Sequence, residues 1–84
     1  MYKVILSNKV LKEIDELPDN IFEKFDEVNQ KLKSNPRPIG CMKLTDQEGY
    51  RVRFGKYRII YTINDKLQEI SVFKISHRKE SYRR

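Results

Sequence analysis

Tyr2 to Leu6 is rich in β-branched and aromatic residues, which predicts a short opening strand. Ser7 or Asn8 follows, and either side-chain oxygen can accept from a free backbone N–H of a first helical turn. Val10, Leu11, Ile14 and Leu17 then recur at helical spacing and predict a helix with one apolar stripe. Pro18 stops it, because proline has no N–H and crowds the preceding turn. Asp19 or Asn20 is expected to cap a second helix in which Ile21, Phe22, Phe25, Val28 and Leu32 share a face. Its other face carries Glu23, Lys24, Asp26, Glu27, Gln30, Lys31 and Lys33 and reads as solvated. So short a connection folds the two helices into a hairpin.

Ser34 to Gly40, with two prolines and a glycine, is a loop. The stretch from there to Glu48 is weakly patterned, with Met42 and Leu44 expected as core anchors. From Gly49 the period changes to two: Tyr50, Val52 and Phe54 alternate with Arg51 and Arg53. Gly55-Lys56 makes a tight turn, Tyr57 to Asn64 a second strand, Asp65-Lys66 another turn and Glu69 to Ser76 a third strand. The fold class is therefore α+β: an N-terminal strand, an α-hairpin, then a three-stranded antiparallel meander with the helices packed on one sheet face.

Strict alternation assigns the faces. Tyr50, Val52, Phe54, Tyr57, Ile59, Tyr61, Ile63, Phe73, Ile75 and His77 are expected toward the helices. Arg51, Arg53, Arg58, Ile60, Thr62, Ile70, Val72, Lys74, Ser76 and Arg78 are expected on the opposite face.

Length and composition narrow the class. Eighty-four residues suffice for one domain, 1–84, and not for two. The single cysteine, Cys41, can form no internal disulfide, sits in a loop without an adjacent base, and reads as a bystander in a reducing compartment. No apolar run is long enough to span a membrane and MYKVIL is too short for a signal peptide, so a cytoplasmic location is expected. One histidine and no cysteine cluster speak against a zinc site. Glycine-rich phosphate loops and paired carboxylates are missing, which removes kinase, nucleotide-fold and glycosidase readings.

The net charge of +6 is unevenly placed. Residues 1–49 hold eight basic and nine acidic side chains, whereas residues 50–84 hold ten basic and three acidic. Five of those cations, Arg51, Arg53, Arg58, Lys74 and Arg78, are expected on the open sheet face. Like charges on neighbouring strands cost up to about 1 kcal/mol per close pair, so stability alone does not explain them. A phosphate backbone does, since the planar guanidinium pairs two phosphate oxygens. Tyr82, a few residues beyond Arg78, is expected beside the same surface, to stack on a base or hydrogen-bond a phosphate.

The segment GYRVRFGKYRIIYTI followed by ISHRKESYR resembles the RelE/ParE superfamily of toxins from toxin–antitoxin pairs, and the likeness runs through essentially the whole chain. The resemblance implies a compact α+β toxin that enters the ribosomal decoding site and cuts messenger RNA. In such cleavage the ribose 2′-hydroxyl attacks the adjacent phosphate, giving a 2′,3′-cyclic phosphate and a free 5′-hydroxyl, with no metal or cofactor. The family's basic pair falls on Arg51 and Arg53, its arginine after the glycine turn on Arg58, its arginine after the last strand on Arg78 and its terminal tyrosine on Tyr82. Arg51, Arg58 and Arg78 are then the clamp on the phosphorane, with Arg78 also assisting the leaving 5′-oxygen. Tyr82 orients the substrate or takes the 2′-hydroxyl proton; its ordinary pKa of about 10 suits that task only if neighbouring arginines lower it. Lys74, Lys79, Arg83 and Arg84 are assigned to RNA contact, the last three also reading as solvated tail charges.

One departure bears on the chemistry. Well-studied RelE members carry lysines where this chain has Arg51 and Arg53, and arginine does not give up its proton. General-base work therefore passes to Tyr82, or to His77 if a bulge turns it outward; strand parity makes His77 a structural, hydrogen-bonded residue. The resemblance also implies partners: a cognate antitoxin, the ribosome and messenger RNA, with the toxin–antitoxin complex binding operator DNA through the antitoxin. The exposed stripe of the helices and the Ile60, Ile70 and Val72 side of the sheet are the expected antitoxin docking surfaces. A ParE-like inhibitor of DNA gyrase and an inactive member that mainly binds its antitoxin are the alternatives. The retained Tyr82 leans toward RelE.

Overall fold

A computed structural model describes residues 1–77. The elements are β1 (Lys3–Leu6), α1 (Asn8–Asp15), α2 (Asp19–Ser34), β2 (Met42–Lys43), β3 (Tyr50–Phe54), β4 (Tyr57–Asn64) and β5 (Glu69–His77). Ser7 caps α1, its Oγ accepting from the Val10 N–H at 3.2 Å. α2 starts differently from expectation. Pro18 itself occupies the cap position without a side-chain bond, and its carbonyl accepts from the Ile21 and Phe22 N–H groups. Neither Asp19 nor Asn20 caps, because the chain is already helical at Asp19; Asp19 in the first turn and Lys31 and Lys33 in the last still suit the helix dipole.

The sheet has five strands in the order β1-β5-β4-β3-β2. The β3–β4–β5 meander is antiparallel as predicted, and β1 adds to the far side of β5 in parallel. The sheet is therefore mixed. The two-residue β2, which the weak patterning hid, pairs antiparallel with the outer edge of β3. α1 packs on β5, and α2 on β1 and β3, so both helices cover one face. Between them and the sheet lies a core of Val10, Phe25, Leu32, Val52, Phe54, Ile59, Tyr61, Ile70, Val72 and Ile75. Phe25 packs on Phe54 with ring centroids 5.7 Å apart. Leu11 and Phe22, expected on the core stripes, stay 48% and 44% exposed at the margins of their helices.

A bulge corrects the face assignment of β5. Tyr61 lies opposite Val72 and Ile60 opposite Lys74, so Phe73 is an extra residue with no partner on β4. The shift by one inverts the parity of everything before it. Ile70 and Val72, expected outward, are fully buried against the helices, and Phe73 is only half-buried. Ile75 and His77, beyond the bulge, keep the expected helix-side face, His77 meeting the Tyr57 ring edge-on at 4.8 Å.

Met42 and Leu44 do not anchor the core. Met42 is 55% exposed, and Leu44 is half-buried on the opposite side of the sheet. The Leu44 N–H donates to the Gly49 carbonyl at 3.0 Å, closing the loop between β2 and β3. Gly49 has φ +136°, and a Cβ there would stand 3.0 Å from the Tyr61 carbonyl oxygen and 3.3 Å from Leu44 Cδ1. Gly49→Ala is expected to cost about 1–3 kcal/mol of stability, from backbone strain and crowding of β4. Urea unfolding of the variant against the parent chain measures it.

Candidate nucleic-acid interface

Alternation on β3 and β4, and on β5 beyond its bulge, brings the outward side chains into two rows across the strands. In the first row Met42 lies opposite Arg51, Arg51 opposite Ile60, and Ile60 opposite Lys74. In the second, Arg53 lies directly opposite Arg58, and Arg58 opposite Ser76. Directly opposed residues have Cα atoms about 4.5–5.5 Å apart, so Arg53 and Arg58 sit within reach of one another's charge. The uncovered face thus gathers Arg51, Arg53, Arg58 and Lys74, as the alternation of the sequence predicts for these four.

Among the described residues none of the four has a carboxylate within ion-pair distance. The one polar contact given to Arg51 is its Nη2 donating to the Met42 sulfur at 3.4 Å, a weak acceptor that holds the guanidinium without neutralising it. Three adjoining pockets lie on this face. The smallest, about 70 Å³, is lined by Gly40, Met42, Arg51, Arg53 and Arg58. The second, about 210 Å³, is lined by Arg51 and Arg58 again with Leu44, Gln47, Ile60, Lys74 and Ser76. The third opens along the Met42–Gln47 segment, and Arg51 and Arg58 line that one too. These two arginines are shared by all three, which makes them the centre of the groove. The arrangement can hold an extended polyanion across the strands, with apolar side chains beside the charges.

Arg78, Tyr82, Lys79, Arg83 and Arg84 lie outside the described residues. His77 lies on the helix side with Glu13, Glu16, Leu17, Tyr57 and Ile75, away from the arginine rows. Glu13 reaches across to accept from the Ile75 N–H at 3.3 Å and ties α1 to β5. Among the described residues no three His, Cys, Asp or Glu side chains come together as a metal would require.

Sequence reasoning missed the network that fixes one end of the groove. Arg37 donates to Asp65 through Nη2 at 2.9 Å and to the Tyr50 hydroxyl through Nε at 3.2 Å, its guanidinium 5.3 Å from the Tyr50 ring centre. The Tyr2 hydroxyl donates to the same carboxylate at 2.6 Å, and the buried Tyr61 hydroxyl donates to the Pro36 carbonyl at 2.8 Å. Together they pin the Asn35–Gly40 loop that leads into the arginine pocket. No local pattern signals the pairing, because Arg37 and Asp65 are far apart in sequence. The bond from Arg37, then that from Tyr2, holds the Asp65 carboxyl below the usual carboxylate range, and the same Asp65 raises the Tyr2 phenol. A depressed carboxylate adds stability above its unfolded value and loses it as pH falls through its folded one. The stability gap between the parent chain and Asp65→Asn is therefore expected to close on acidification below about pH 4, as denaturant midpoints across pH record.

Residues 4–82 match the family described as ParE toxin of type II toxin-antitoxin system, parDE. The chain is 37% identical to “Putative toxin RelE1” of Methanocaldococcus jannaschii, covering 98% of this chain and 96% of that one. It is 31% identical to the toxin RelE of Mycobacterium tuberculosis, over 98% and 87% of the two chains. Among solved structures it resembles the archaeal RelE–RelB complex from Pyrococcus horikoshii, with a TM-score of 0.84 and 31% identity over 92% of this chain and 94% of that one. On the family match and these RelE relatives together, the chain belongs to the RelE/ParE superfamily of type II toxin–antitoxin toxins, on its RelE branch.

Proposed function

We propose that this toxin is an endoribonuclease that cuts messenger RNA in the ribosome, using the ribose 2′-hydroxyl as nucleophile and no metal. The observation that carries the reading is the uncompensated group of Arg51, Arg53, Arg58 and Lys74 on the uncovered sheet face. In-line attack builds negative charge on the phosphorane oxygens, and fixed guanidiniums aimed at that charge lower the barrier without reorganising. Arg51 and Arg58, shared by the adjoining pockets, are assigned to that clamp, with Arg53 beside them and Lys74 on the flanking phosphate. As arginines they contribute charge and not base catalysis. Proton abstraction is assigned to Tyr82 and leaving-group assistance to Arg78, both beyond the described residues; Lys79, Arg83 and Arg84 are assigned to ribosomal RNA.

The partner is proposed to be a RelB-type antitoxin, by likeness to the toxin–antitoxin complexes among the structural relatives. Ile70 and Val72 take no part in its docking, because they are buried under the helices. Primer extension on a reporter messenger after induction tests the function. Breaks at codon-defined positions are expected, with translation halted. Intact messengers together with gyrase–DNA adducts would transfer the chain to ParE-like gyrase inhibition, and undisturbed growth would make it an inactive member.

A further inference from the structure

Met42 sits on the edge strand β2 and lies directly opposite Arg51. It is 55% exposed and takes no part in the core, so packing gives no reason for a thioether there. Its sulfur accepts from Arg51 Nη2 at 3.4 Å, and it lines the smallest pocket of the open face together with Gly40, Arg51, Arg53 and Arg58. A thioether is a weak acceptor, which leaves the guanidinium charge available to an anion. The same sulfur is chemically the odd member of the pocket. Among the described residues that line it, Met42 alone carries an atom that a peroxide oxidises. One sulfur lone pair takes the Arg51 N–H, and the second remains for an oxidant.

We infer that Met42 is an oxidation site whose sulfoxide captures Arg51 and closes the arginine pocket to phosphate; the inference rests on the proposal that this face binds a phosphate backbone. The oxidant is hydrogen peroxide. The sulfur lone pair attacks one peroxide oxygen, an S–O bond forms as the O–O bond breaks, and the second oxygen leaves as water with both protons. Sulfur gives up two electrons and the peroxide is reduced by two. The product, methionine sulfoxide, puts a strong dipolar oxygen acceptor where a weak one stood. Arg51 already donates to that side chain, and the strand pairing keeps the two opposed, so the new oxygen is met by the same guanidinium. Arg51 then spends a donor on its neighbour instead of on a phosphate. The added oxygen also takes room in a pocket of about 70 Å³. Neither effect reaches the core, so the fold persists and enzymatic reduction of the sulfoxide reopens the site.

The test treats the full 84-residue chain, isotopically labelled, with hydrogen peroxide and then with dithiothreitol, which reduces disulfides and leaves sulfoxides. Peptide mass spectrometry is expected to find one added oxygen on Met42. The Arg51 Nε–H signal is expected to move on oxidation, before any ligand is added. Inorganic phosphate is expected to bind the oxidised chain about tenfold more weakly than the untreated one, the loss of roughly one charge-assisted hydrogen bond. Methionine sulfoxide reductase is expected to restore both. Met42→Leu retains Met1 and Cys41 and so reports oxidation elsewhere. Compared with its own untreated sample, the treated variant is expected to change neither in the Arg51 signal nor in phosphate affinity. The inference is overturned if Met42 stays a thioether while Met1 is oxidised, if its sulfoxide leaves the Arg51 signal in place, or if phosphate affinity is unchanged by it. An equal loss of affinity in Met42→Leu overturns it too. An untreated parent chain that binds no phosphate would sink the reading of the face itself, whereas an unmoved Arg51 signal in a chain that does bind it sinks the switch alone.

Discussion

Arg58→Gln is expected to slow cleavage of ribosome-bound messenger by about 10²–10³-fold, the usual effect of removing one donor aimed at transition-state charge. The same change is expected to leave the fold as stable as before or more stable by up to about 1 kcal/mol. The two effects part because Arg58 stands directly opposite Arg53 with no carboxylate partner among the described residues. Glutamine keeps the beginning of the half-buried stem and removes the charge, so the cross-strand repulsion goes while most of the packing stays. Single-turnover cleavage on programmed ribosomes and urea unfolding of the same preparation measure the pair. An activity loss matched by an equal stability loss would make Arg58 a structural residue. If cleavage continued at the parent rate, the clamp would have to be built without it.

Tyr61→Ala is expected to destabilise the chain by about 3–5 kcal/mol, a large share of the 5–15 kcal/mol typical of a domain. Tyr61 is among the largest fully buried side chains, lies near Tyr50 with ring centroids 6.0 Å apart, and holds the Asn35–Gly40 loop through the Pro36 carbonyl. Its loss opens a cavity at the centre of β4 and frees the loop together. Tyr61→Phe separates the two, since it keeps the ring and loses the hydroxyl, at an expected cost of about 1–3 kcal/mol. Burial, with the Cys41 thiol beside it, pushes the Tyr61 phenol upward. A group raised in the folded state adds stability that is complete below its unfolded value and lost as pH rises through the folded one. The parent chain is therefore expected to weaken above about pH 10 more steeply than Tyr61→Phe, as unfolding midpoints on the alkaline side will record.

The α+β class, both helices, the meander and four of the cations on the open face could be read from the chain. Each depends on residues close in sequence. Val10, Ile14 and Leu17 repeat at the helical period, and Arg51, Arg53 and Arg58 alternate with residues that must be buried. The reading broke where one extra residue mattered. Parity through β5 is right at Ile75 and wrong at Ile70 and Val72, because the alternation Ile70-Ser71-Val72 changes phase at the adjacent apolar pair Val72-Phe73 and strict alternation carries straight back through it. With Val72 and Phe73 both apolar, either could continue the buried row, and pairing with β4 decides that Phe73 is the residue left out. Met42 and Leu44 misled for a related reason: hydrophobicity marks them for burial without saying on which side of the sheet.

Side-chain period is a property of the backbone and needs no partner, so the amino-acid order alone settles which residues share a strand face over a short run. Placement of β1 beside β5, the clamp of Arg37 on Asp65, and the meeting of Leu44, Gln47 and Ser76 in one groove are contacts between segments remote along the chain. Their formation depends on closing long loops and on the helices covering one face, and no local propensity encodes either. The cations were written in the alternation. The groove that surrounds them exists only once the chain has folded.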